Sequence, residues 1–76
     1  MTLFAYINQN LERIRHDMRI GLISPGVLRY YQIYSRYDYY KRLGHRNHDA
    51  VFCTAEDFAL GESWVLKIIK KMEVEL

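Results

Sequence analysis

Apolar residues recur along this chain at the three- and four-residue steps of an α-helix, and no useful length of it alternates with the two-residue period of a strand. Ile7, Leu11, Ile14 and Met18 follow at intervals of four, three and four. They predict a first helix over about Leu3 to Ile20 with one apolar side, and Glu12, Arg13, Arg15, Asp17 and Arg19 fill the rest. Gly21 stands where a helix often stops in a left-handed residue, and Leu22 is placed to fold back on the last turn. Ser24-Pro25 then opens a second helix: a serine cap satisfies one orphan amide, and proline at the first helical position removes another. It runs to about Leu43, with Gly44 as its stop. Val27, Tyr30, Ile33, Tyr34, Tyr37 and Tyr40 gather on one broad face of it, and Arg29, Gln32, Arg36 and Tyr39 on the other.

His45-Arg46-Asn47-His48 reads as a polar connector. Asn47 or Asp49 is expected to cap a third helix, roughly Ala50 to Phe58. Ala59-Leu60-Gly61 is a turn, and a last helix runs from about Glu62 to Glu73. Glu62 at its start and Lys67, Lys70 and Lys71 toward its end complement the helix dipole. The expectation is a single all-α domain over residues 1–76, built from four helices.

The last two helices carry the clearest functional signal. Ala55, Phe58, Leu60, Val65 and Ile68 are spaced for two helices crossing steeply, the geometry that lets the second lie in a DNA groove. Ala55 is small where the helix backbones approach, Leu60 plugs the turn, and Val65 and Ile68 hold the second helix inward. In the form A-E-x-F-x-L-x-x-x-x-V-x-x-I-I-K-K-M, the run from about Val51 to Met72 resembles the helix-turn-helix of small bacterial and phage DNA-binding regulators. The resemblance covers less than a third of the chain. It departs from the usual pattern in having Ala59 where such motifs place glycine, and Gly61 where they place a capping serine or threonine. A left-handed Ala59 costs about 1 kcal/mol or more.

With Val65 and Ile68 inward, the outward side of the last helix carries Glu62, Ser63, Leu66, Lys67 and Lys70, with Trp64 at the margin and Lys71 nearby. Ser63 suits a base edge or a phosphate, and the lysines suit phosphate oxygens or guanine. Glu62 accepts from cytosine but is repelled by the backbone, and Leu66 offers only a methyl contact to thymine. No arginine, asparagine or glutamine lies there, so modest sequence discrimination is expected. Arg29, Arg36, Lys41, Arg42 and Arg46 are candidates for supporting phosphate contacts. The resemblance implies a small double-stranded-DNA-binding protein, a transcriptional regulator or accessory factor of a bacterium or its mobile elements. The alternative is a helical protein-interaction module using the tyrosine-rich helix or Trp64 and Leu66.

Six tyrosines fall between Tyr30 and Tyr40. At helical spacing they read as a core face, each ring inward and each hydroxyl at the rim, rather than as a stacking platform for bases. Tyr39, and Tyr31 at the edge, are the exposed candidates for a partner. Two copies meeting along the first or second helix would bury apolar surface that one copy cannot, so a homodimer is a further expectation.

Composition adds bounds. A net charge of +2 places any DNA binding in a local cluster rather than in the whole molecule's field. No apolar stretch nears the ~20 residues of a membrane helix, and no basic-then-apolar leader is visible. A cytoplasmic location is therefore expected, in keeping with the lone Cys53. His45, His48 and Cys53 lack the paired spacing of a zinc site. Glu56 and Asp57 are adjacent on a helix and diverge, and there is no glycine-rich phosphate loop. Neither catalysis nor a cofactor is expected.

Overall fold

A computed structural model describes residues 1–76, and its named elements are five α-helices with no strand. They are α1 (Leu3–Gln9), α2 (Leu11–Arg19), α3 (Gly26–Arg42), α4 (Asn47–Phe58) and α5 (Glu62–Met72). The all-helical class holds, but the count is five rather than four. The expected helix Leu3–Ile20 breaks at Asn10, whose backbone sits at φ −117° and ψ 24°. The Asn10 side-chain amide donates to the Tyr6 carbonyl at 2.8 Å, and that carbonyl also accepts the Asn10 backbone N–H. A short polar side chain has competed with the helix for its own backbone groups. Ile7 and Ile14, one on each side of the break, are both buried.

The helix ends follow local chemistry. Thr2 Oγ1 accepts the Ala5 N–H at 3.1 Å and caps α1. Ser24 Oγ accepts the Gly26 N–H at 3.3 Å, so the Ser-Pro start works as a cap before α3. The start of α4 differs from expectation: the helix begins at Asn47, and Arg46 stands at the cap position without a side-chain bond. α2, α3 and α4 each end in a Schellman arrangement, with Gly21, Gly44 and Ala59 at positive φ. Leu22 supplies its N–H to Asp17 in the first of these, but its side chain stands 74% exposed instead of folding back.

Eleven buried apolar side chains form one cluster drawn from all five helices. Ile33 and Tyr37 come from α3, Ala50, Val51 and Ala55 from α4, and Val65, Ile68, Ile69 and Met72 from α5. α3 packs against both α4 and α5, and those two pack on each other. Buried Thr54 satisfies its hydroxyl within α4 by donating to the Ala50 carbonyl at 2.7 Å. The Leu3 N–H donates to the Val74 carbonyl and the Leu76 N–H to the Met1 carbonyl, which sets the start of α1 beside the end of α5.

The tyrosine face of α3 is the hub of this packing. Its hydroxyls donate to Asn8 (from Tyr31, 2.7 Å), Glu73 (from Tyr34, 2.9 Å), Asn47 (from Tyr37, 3.5 Å) and Asp57 (from Tyr40, 2.5 Å). Each ring thus fills space near the core while its polar tip links α3 to a different stretch of chain. Tyr31 is not the free edge residue expected. It stacks on Phe4 with centroids 5.4 Å apart and is tied to Asn8. Tyr39 is exposed, as its position off the face requires.

Candidate nucleic-acid interface

α4 and α5 are joined by only three residues, Ala59, Leu60 and Gly61. A turn so short needs the chain to reverse at once after Phe58, and Ala59 does so at φ 55° and ψ 44°. It is the single non-glycine residue with positive φ. The Leu60 N–H donates to the Ala55 carbonyl at 2.9 Å and the Ala59 N–H to the Glu56 carbonyl at 3.2 Å. Leu60 packs partly buried against the core, and buried Ala55 lies beneath the turn. Gly61 precedes α5 in an extended conformation with no side chain to cap it.

The outward side of α5 is set by its inward one. Val65 is 0% and Ile68 2% exposed, and Ile69 and Met72 complete the buried stripe. On a helix that leaves Ser63, Lys67 and Lys70 at the centre of the opposite side, and all three are exposed. Neither Lys67 nor Lys70 takes part in an ion pair. Glu62 and Leu66 flank them, both exposed. Trp64 is 43% exposed and meets Tyr30 edge-on, with centroids 6.2 Å apart. Lys71 leans the same way: its Nζ lies 5.3 Å from the centre of the Tyr30 ring. It belongs more to the seam between α3 and α5 than to the centre of the lysine stripe.

The supporting cations are only partly free. Arg42 Nε pairs with Asp38 at 2.9 Å across one helical turn, and Arg36 Nε lies 3.8 Å from Asp57. The Arg29 guanidinium sits over the Phe58 ring and that of Arg36 over Tyr39. Lys41 donates to Asn47. Arg46, just before α4, is exposed with no acidic partner. The Asp38–Arg42 spacing of four is a salt-bridge signal readable from sequence, whereas the Asp57 contact joins separate helices.

No group of three His, Cys, Asp or Glu side chains is placed to hold a metal ion. His45 packs edge-on against Tyr40. No helix is long and apolar enough to cross a membrane. The tyrosines with displaced pKa values are those of the hub. Burial raises Tyr34 and Tyr37, aided by nearby Glu73, and the hydrogen bond to Asp57 is the main cause raising Tyr40.

Sequence reasoning missed one feature, an apolar groove bounded by α1, α2, α3 and α5, with Ile7, Ile14 and Met72 among its lining. Its walls come from segments far apart in the chain, so no local motif announces it. Comparison of the chain with protein-family models, with curated proteins and with solved structures finds no match.

Proposed function

We propose that this protein binds double-stranded DNA, with α4 and α5 acting as a helix-turn-helix and α5 as the groove-facing helix. The observation that carries the reading is the division of α5: Val65 and Ile68 are buried while Ser63, Lys67 and Lys70 are exposed and free of acidic partners. The left-handed residue at Ala59 supports it, because it falls where motifs of this kind place glycine. Binding through lysine–phosphate contacts falls with salt by about 0.9 log unit per log unit for each phosphate neutralised, and discriminates modestly between sequences. A regulatory or mobile-element accessory role follows from the resemblance of Val51–Met72 to small regulators.

Titration of the protein with a random-sequence duplex at low and moderate salt tests the reading, alongside Lys67→Glu. Salt-sensitive binding that the substitution abolishes supports it. An absence of binding even at low salt overturns it and favours a protein-interaction role. That second reading draws on the exposure of Trp64 and Leu66, two large apolar side chains on the same helix.

A further inference from the structure

We infer that the groove between the N-terminal helices and the α3–α5 seam binds a free small molecule with an apolar body and one anionic end. The inference is independent of DNA binding. Eight of the eleven residues around the groove are apolar, and its volume is about 370 Å³. α1 contributes Leu3 and Tyr6, the loop before α3 contributes Ile23, and α3 contributes Val27 and Tyr30. Tyr6 is exposed and the other four are only partly buried, so water now covers apolar surface that a bound molecule would cover instead.

Size selects the kind of occupant. A volume of 370 Å³ equals a cube about 7 Å on a side, narrower than the ~10–12 Å diameter of a helix with its side chains. The groove is therefore too small to take in a whole partner helix, and it fits a single small molecule. A cavity of about 150 Å³ accommodates benzene, so this one suits a two-ring aromatic or an acyl chain of similar bulk. It also falls within the range of small-molecule pockets, which begins at about 300 Å³.

Charge selects the end group. Three charged residues border the groove: Arg13, Asp17 and Lys71. Neither cation has an acidic partner, and Lys71 Nζ is held over the Tyr30 ring at the groove wall. Asp17 Oδ1 is 3.4 Å from His16 Nδ1, so the one acid has a neighbour of its own. Two unpaired cations against one acid favour a carboxylate or sulfonate at the mouth, with the apolar body directed toward Ile14 and Met72.

The test is a titration of the ¹⁵N-labelled protein with octanoate, naphthalene-2-carboxylate and octylammonium, each below its aggregation range. The expected result is saturable one-to-one binding of both carboxylates, with shifts centred on Tyr6, Ile14, Val27, Tyr30 and Met72. Octylammonium binds about fivefold more weakly, the ratio expected for one partly exposed ion pair, and Lys71→Glu lowers octanoate affinity by a similar factor. Val27→Trp fills the groove and abolishes octanoate binding. Should that variant lose its cooperative melt, Ile23→Phe in the preceding loop replaces it. Absence of saturable carboxylate binding, equal affinity for octylammonium, shifts away from the groove, or unchanged binding by a folded groove-filling variant each overturns the inference.

Discussion

The Tyr34 hydroxyl donates to Glu73 Oε2 at 2.9 Å, joining the middle of α3 to the residue that ends α5 across 39 positions of sequence. Burial, and then this bond to a carboxylate, raise the Tyr34 pKa, and Tyr37 beside it is raised chiefly by burial. The folded protein holds these protons more tightly than the unfolded chain does. Their contribution to stability is complete below the ordinary tyrosine value of about 10 and declines as pH rises beyond it. Urea midpoints measured from pH 8 to 11.5 are expected to be flat up to about pH 10 and then to fall. Tyr34→Phe makes that fall shallower.

Ala59 pays a conformational penalty for its position. At φ 55° an L-residue other than glycine is strained by about 1–2 kcal/mol, offset in part by the ~0.4–1 kcal/mol of extra chain freedom that glycine gives the unfolded state. Ala59→Gly is expected to stabilise the protein by about 0.5–1 kcal/mol. The urea midpoint should rise with an unchanged slope, and a fall would mean that the turn is not left-handed.

Leu66 and Ile68 are two positions apart on α5 and have opposite surroundings, 51% and 2% exposed. Ile68→Ala leaves a cavity in the core and is expected to cost about 2–5 kcal/mol. Leu66→Ala is expected to stay within about 0.5 kcal/mol of the parent protein. Thermal or chemical denaturation of the two variants checks this directly. Similar losses from both would contradict the burial pattern on which the orientation of α5 rests.

Lys67 and Arg42 are both exposed cations, but only Arg42 has an ion-pair partner. If Lys67 neutralises one phosphate, Lys67→Ala lowers the slope of log affinity against log salt by about 0.9. Arg42, held by Asp38, is expected to change that slope much less when replaced by alanine. Fluorescence anisotropy with a labelled duplex over a salt series measures both slopes, and equal changes would argue against a special role for the α5 stripe.

Much of the helical framework was legible because burial imposes a period on the chain. Ile7 and Ile14, the tyrosine face of α3, and Val65 with Ile68 all lie on the side their spacing predicts. The left-handed residue at Ala59 was legible only through the resemblance to motifs that place glycine there, with a different turn as the alternative, and the backbone at φ 55° decides between them. The break at Asn10 was not legible. An asparagine fits either side of the choice, and the bond from its side chain to the Tyr6 carbonyl decides it.

Local pattern alone determined which side of each helix is apolar, where most helices stop, and which lysines lie opposite Val65 and Ile68, because these depend on steps of a few residues. Tertiary structure decided which acceptors the tyrosine hydroxyls reach, that Arg36 lies beside Asp57, and that four helices leave a groove beside Ile14 and Met72. Most of those outcomes depend on side chains brought together from distant positions, and helical periodicity fixes the direction a residue faces without naming what it will meet.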